Sequence, residues 1–263
     1  MNPTLPAPMD VRLMNIASLL LGLAFFGMLA ALGVGWLVQQ NLFRLAAIKV
    51  RGDVSHNNAV TLRANVLPRL TGNFLTVDLA GAQSAFESVP WVRRAVVQRE
   101  FPNRLSVVLQ EHQAIAYWGQ DADAQLVNTY GEVFEANPGD VEADALPVLS
   151  GPDGQAALVL DAWRRLSPVF EKMDAQIEKL ELTSRGSWRV RLDDGATLEL
   201  GHGAMPEIES RVSRFAATLT QVAGKFGKPL ESADLRYANG YAIKLRGVTT
   251  TVLGDKDNAK AKR

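Results

Sequence analysis

Residues 90–111 read PWVRRAVVQREFPNRLSVVLQE. Pro90 precedes an extended run from Val92 to Phe101, and Pro102-Asn103 turns the chain. The run from Leu105 to Glu111 brings it back, with Leu105, Val107 and Leu109 on one face. A strand pair with one apolar face needs a cover. Upstream, Ala46 to Val50 is a candidate strand that Gly52 ends. Asn57 or Asn58 can cap a helix running to about Leu67, with Pro68 at its exit. Thr71-Gly72-Asn73 is a turn, and a second short helix is expected from Leu79 to Glu87 behind Asp78. The order is β-α-α-β-β, in which two amphipathic helices cover one sheet face.

Further upstream the chain carries no charge between Arg12 and Arg44. Ile16 to Val38 reads IASLLLGLAFFGMLAALGVGWLV. At about 1.5 Å per residue this run crosses a hydrocarbon core of about 30 Å. Gly22, Gly27, Gly33 and Gly35 suit a spanning helix, and Trp36 stands where an interfacial ring is expected. The run exceeds the roughly 7–15 apolar residues of a signal peptide. It has no polar stripe, so it is not read as a buried core helix. It reads as a retained anchor over residues 15–38, behind a short tail of residues 1–14. Arg12 and Asp10 lie on one side, and Arg44, Lys49 and Arg51 on the other. Taken literally, the positive-inside rule places the large part in the cytoplasm, but the bias is small and charge leaves orientation open.

Beyond Glu111, short strands are expected at Ile115–Trp118, Leu126–Asn128 and Val133–Phe134. A helix is expected over Ala156–Phe170, with Pro168 bending or shortening it, and a strand over Gln176–Leu182. Trp188, Val190 and Leu192 alternate, Asp193-Asp194-Gly195 turns, and Ala196, Leu198 and Leu200 alternate again. Pro206 opens a helix whose apolar face carries Ile208, Val212, Phe215, Leu219, Val222 and Phe226. Asp234–Tyr237 and Tyr241–Leu245 read as strands around a two-residue Asn239-Gly240 turn. The tail of residues 251–263 is polar and reads as disordered. The fold class is α+β: one N-terminal transmembrane helix, then a β-α-α-β-β domain, then a mixed domain ending in a hairpin.

The 263 residues hold 28 Lys plus Arg against 28 Asp plus Glu, and no Cys. The balance argues against a broad nucleic-acid surface, and the missing thiols exclude disulfides and thiolate metal sites. The basic group Arg93, Arg94, Arg99 and Arg104 reads as a solvated sheet face. His56, His112 and His202 are too scattered for a metal motif, and no nucleotide, hydrolase or zincin signature is present. Asp193-Asp194 reads as turn chemistry, and Glu111 beside His112 as a structural hydrogen bond. No catalytic residue, cofactor or metal is expected. Tyr241–Leu245 remains as a candidate edge strand, open to strand addition by a partner.

Several short patterns then fall in one order behind the anchor. They are Ile48-x-Val50-x-Gly52; Pro90-Trp91-Val92 with Ala95 and Val97; Phe101-Pro102-Asn103-Arg104-Leu105; and Glu111 with Ala116 and Trp118. Leu126, Asn128, Gly131, Val133 and Phe134 follow, then Leu146-Pro147 with Leu149, Gly151 and Pro152. Asp234-Leu235-Arg236-Tyr237 with Asn239-Gly240 closes the series. Together they resemble the FtsQ/DivIB family of bacterial cell division proteins. Ala114 departs from that family's usual Pro at the domain junction.

The resemblance implies a POTRA domain at residues 45–113 and a so-called β domain at 114–250. It also implies an inner-membrane, single-pass protein with its N-terminus inside, concentrated at the septum. It implies no catalysis but a scaffold that binds FtsB and FtsL and supports septal peptidoglycan synthesis, with other divisome proteins meeting the POTRA half. Carried onto this chain, the partner-binding positions are Arg185, Arg236, Tyr237, Asn239, Gly240, Tyr241, Ile243, Lys244 and Leu245. In that transfer Arg236 pairs with a partner carboxylate, Tyr237 fills an apolar contact and the last strand supplies a ladder. The competing readings are an envelope assembly or translocation accessory and a membrane-anchored hydrolase built on Glu111 or Asp194.

Overall fold

The computed structural model describes residues 9–38, 43–52, 54–119, 125–141, 146–226, 228–237 and 240–247. The tail expected at 251–263, residues 1–8 and Asn239 lie outside the described residues. The chain divides into two compact units, one ending at Glu111 and the other beginning at His112.

The first unit opens with α1, Met9–Val38, which starts before the expected anchor. Its stretch Met9–Trp36 is long and apolar enough to cross a membrane, and none of its most apolar window is buried within the protein. A helix that is apolar all round, with its most apolar window uncovered by the protein, fits a membrane span.

Next come β1 (Ala47–Gly52), α2 (Ala59–Val66), α3 (Leu79–Glu87), β2 (Val92–Glu100) and β3 (Arg104–Glu111). The sheet order is β1-β3-β2, with β1 parallel and β2 antiparallel to the central strand. Asn58 is the helix cap: its Oδ1 accepts from the Val60 and Thr61 N–H groups at 2.9 and 2.8 Å. Asp78 caps α3 through the Ala80 N–H at 3.0 Å. Pro68 sits in a 3-10 turn, Leu67–Arg69, that follows α2. Leu62, Val66, Ala82 and Phe86 of the helices meet Ala95, Val97, Leu105, Val107 and Leu109 of the sheet.

Two polar residues depart from the sequence reading. Arg99 is no solvated bystander, because its guanidinium donates to the Phe74 and Val77 carbonyls at 2.7 and 2.8 Å and holds the loop before α3. Glu111 is buried, and its partners are not His112. It accepts from the His56 and Asn57 backbone N–H groups at 3.0 and 3.1 Å and from Asn57 Nδ2 at 2.9 Å. Successive residues of an extended chain point to opposite sides, so adjacency in sequence kept Glu111 and His112 apart. The His56 ring stacks on Trp91, 3.9 Å between centroids, and Trp91 itself has a φ of 70°.

The second unit adds β4 (Ala114–Trp118), β5 (Gln125–Asn128), β6 (Val133–Glu135), β7 (Val148–Ser150) and α4 (Ala156–Glu171). Then follow β8 (Ile177–Leu182), β9 (Trp188–Leu192), β10 (Thr197–Gly201), α5 (Met205–Phe226), β11 (Leu230–Asp234) and β12 (Ala242–Leu245). These strands form one sheet in the order β12-β11-β10-β9-β8-β7-β4-β5-β6. β7, which the pattern did not reveal, is parallel to both its neighbours and joins β4-β5-β6 to the strands from β8 to β12. α4 and α5 pack on the sheet and on each other. Pro168 stays inside α4 without ending it.

The core gathers Leu160, Leu166 and Phe170 from α4 and Ile208, Val212 and Phe215 from α5 against Leu180, Val190, Leu198 and Leu200. On the same strands the alternate residues form a charge ladder. Arg189 meets Glu199 at 2.6 Å and Glu181 at 3.4 Å, and Arg191 meets Glu178 at 3.1 Å. The period of two thus gives an apolar face under the helices and a self-neutralised face in water.

Candidate functional site

The candidate site is the β12 end of the large sheet. β10 and β11 run parallel, pairing Thr197 with Ser232, Leu198 with Ala233 and Glu199 with Asp234. β12 returns antiparallel, from Leu230 opposite Leu245 to Asp234 opposite Ala242, and is the terminal strand of the order. This corrects the expected hairpin. Its first strand ends at Asp234 instead of beginning there, and its second begins at Ala242; the expected Asn239-Gly240 turn lies partly outside the described residues. Burial sets the register: Leu230, Ala233 and Leu245 are all in the core.

Leu235 pins the connecting loop. It is 2 % exposed, and its N–H donates to the Glu199 carbonyl at 2.8 Å. The next two side chains, Arg236 and Tyr237, face outward. Asp234 shapes the bend by accepting from the Arg236 N–H at 3.1 Å. The same carboxylate takes the guanidinium fork, with Nε to Oδ1 at 2.8 Å and Nη2 to Oδ2 at 2.5 Å. These bonds hold the Asp234 carboxyl below its ordinary range and raise Arg236 above its own. Arg236 therefore already has a carboxylate partner in the chain. Asp234 fixes where the remaining N–H groups of the five point.

The Arg236 stem lies over Gly201. A Cβ there would stand 2.8 Å from Arg236 Cγ, and the φ of Gly201 is +81°. Gly201 is thus a seat for Arg236. Arg185 is exposed in the turn between β8 and β9. A Cβ on the adjoining Gly186 would be 3.8 Å from His202 Nδ1. The turn carrying Arg185 thus adjoins the loop on which Arg236 rests.

The remaining positions divide by burial. Tyr237 is 58 % exposed. It borders a groove of about 310 Å³ with Leu235, Gly240, Tyr241 and, from α5, Arg211, Arg214, Ala217 and Thr218. Tyr241 is partly structural: its hydroxyl meets Thr218 Oγ1 at 2.6 Å and its ring lies edge-on to Phe215. Ile243 packs against the core and Leu245 is buried. Lys244 faces outward and pairs with Glu231 of β11. Arg211 donates to the Leu200 and His202 carbonyls at 3.1 and 2.7 Å, bracing the loop beneath Arg236. Gly201 and Arg211 support the site across tertiary contacts that local pattern does not reveal, whereas Asp234 holds Arg236 from two residues away.

The other candidates are committed to local structure. Asp194 Oδ1 accepts from the Ala196 N–H at 2.8 Å, and Asp193 Oδ1 from the Gln176 N–H at 3.1 Å. His112 stacks on Phe134, with Asn128 Nδ2 2.9 Å from its Nδ1. Among the described residues no three His, Asp or Glu gather as metal ligands.

Comparison with known proteins matches both units. The FtsQ-type POTRA domain model matches residues 43–112, and the model of the C-terminal region of cell division protein FtsQ/DivIB matches residues 116–236. Cell division protein FtsQ of Thiomonas arsenitoxydans is 41 % identical over 244 residues, 92 % of this chain and 89 % of the relative. That of Burkholderia pseudomallei is 41 % identical over 252 residues, 95 % and 98 % of the two chains. That of Bordetella pertussis is 38 % identical over 256 residues, 90 % and 92 % of the two chains.

Proposed function

The chain belongs to the FtsQ/DivIB family of cell division proteins, and from that premise we propose that it is a non-enzymatic scaffold of the divisome that receives FtsB and FtsL. Cell division and work alongside other division proteins come with the family. The partners, the strand-addition geometry and the coupling to septal peptidoglycan synthesis are our reading. In it α1 crosses the inner membrane once, the N-terminus lies in the cytoplasm, and the large part stands in the periplasm at the division septum. Residues 45–113 recruit other divisome proteins, and residues 114–250 carry the FtsB site.

One observation carries the reading: β12 ends the order of the large sheet, beside the exposed Tyr237. A terminal strand offers N–H and C=O groups to an incoming strand, and a neighbouring aromatic ring gives that strand a side-chain anchor. Arg236, held by Asp234 over Gly201, presents its charge at one end of the ladder. Lys244 stands on β12 itself, where a partner's carboxylate can meet it.

Co-purification tests this. The full chain, extracted from dividing cells, is expected to bring FtsB and FtsL with it, and Tyr237→Ala to lose them while still folding. Recovery of outer-membrane assembly proteins without FtsB or FtsL would overturn the reading in favour of an assembly accessory.

A further inference from the structure

The β1-β3-β2 sheet has helices on one face only. On its other face the ladder rows are read from register. Arg51, Val108 and Val96 form one row; Lys49, Ser106 and Gln98 the next; Ala47, Arg104 and Glu100 a third. Arg94 and Gln110 pair beyond them. Val96 and Val108 are 44 % and 48 % exposed, and Lys49, Arg51, Arg94 and Arg104 are exposed around them. Against these four cations the rows hold a single carboxylate, Glu100.

Two features of the chain say what such a face meets. First, no Asp or Glu occurs between Asp10 and Asp53, while Arg44, Lys49 and Arg51 do. Second, eight residues, 39–46, join the end of α1 to the start of β1. Even fully extended they reach no more than about 30 Å, so the face is tethered close to the bilayer that α1 spans. A shallow apolar pair ringed by Lys and Arg is the composition of a surface that lies on anionic lipid.

We propose that the helix-free face of the β1-β3-β2 sheet docks on anionic phospholipid headgroups of the membrane in which the protein is anchored. Arg104, opposite the first residue of β1, and Lys49 supply the attraction nearest the anchor, and Arg51 follows. Arg94 extends it, and Val96 and Val108 meet the interface between them. Neither leaflet is required by this geometry.

The test uses the full chain in lipid discs. With no native Cys, Gln98→Cys takes one spin label on this face, and Ala64→Cys places one on the exposed side of α2. Discs carry a paramagnetic headgroup lipid in phosphatidylcholine, with or without phosphatidylglycerol. The label at 98 is expected to relax faster when phosphatidylglycerol is present, and the label at 64 is not. Salt near 1 M, where screening acts within about 3 Å, is expected to abolish the difference. Lys49→Gln with Arg51→Gln should weaken docking about 25-fold, from about fivefold for each cation at an anionic surface. Near-UV circular dichroism verifies that this double variant folds. Relaxation at 98 that ignores lipid composition, or survives both neutralisations, overturns the proposal. So does a response that appears only when an acidic protein is added. None of these readings depends on FtsB, so they stand or fall apart from the scaffold reading.

Discussion

Tyr237→Ala separates docking from folding. A fully buried tyrosine covers about 150–250 Å². Here 58 % of the residue is open in the free protein, which leaves roughly 90–145 Å² for a partner to cover. At about 25 cal/mol per Å² that is about 2–4 kcal/mol. Ordering the ring and desolvating its hydroxyl reduce the gain, so about 2 kcal/mol is the working figure, or roughly 30-fold in Kd. Stability should change by no more than about 0.5 kcal/mol, because the ring is a surface group. The assay is calorimetric titration of the soluble fragment of FtsB into the full chain in lipid discs, paired with thermal unfolding of the same samples. Tyr237→Phe is expected to keep most of the affinity, since the ring supplies the area. A Kd change below about threefold, or a loss matched by an equal fall in Tm, would refute the reasoning.

Other outcomes follow from the supports. Asp234 has a carboxyl pKa lowered from 3.8, chiefly by its hydrogen bond to Arg236. Its contribution is therefore complete above the ordinary value and lost as pH falls through the lowered one. Affinity for FtsB measured from pH 7 to about 5 should show no step from this pair, with loss only below about 4; Asp234→Asn should remove that acid step. Gly201→Ala forces a Cβ into a positive-φ position and against Arg236. Urea unfolding should register about 1–2 kcal/mol of destabilisation, and docking should weaken as Arg236 moves. Glu111→Ala strands the Asn57 backbone donor and side-chain amide and the His56 N–H. About 3 kcal/mol of the first unit's stability should go, measured by urea unfolding through the fluorescence of the adjoining Trp91, with Glu111→Gln costing less.

The elements legible in the sequence are those with local grammar. Asp78 and Asn58 announced their helices because a cap acts within three residues. The period of two at Trp188–Leu192 and Ala196–Leu200 marked β9 and β10 because one face is buried and the other is charged. β7 left no mark: three residues after Pro147 carry too short a pattern, and only two parallel neighbours make them a strand. β11 failed differently. Leu230-Glu231-Ser232-Ala233-Asp234 alternates poorly, and its pairing with β10 and β12 outweighed a local Asn-Gly signal that suggested a later hairpin. The site residues themselves came through resemblance, whereas Asp234 holding Arg236 over Gly201 is a tertiary arrangement. Glu111 is the sharpest case, because its partners lie 54 and 55 residues away.

The central claim is that β12 receives a partner strand, and amide hydrogen exchange on the full chain in lipid discs tests it most directly. Adding FtsB is expected to slow exchange at residues 242–245 at least about tenfold, with β6 at the opposite end of the sheet unchanged. Undiminished exchange at 242–245 in a saturated complex, or protection confined to Val133–Glu135, would contradict it.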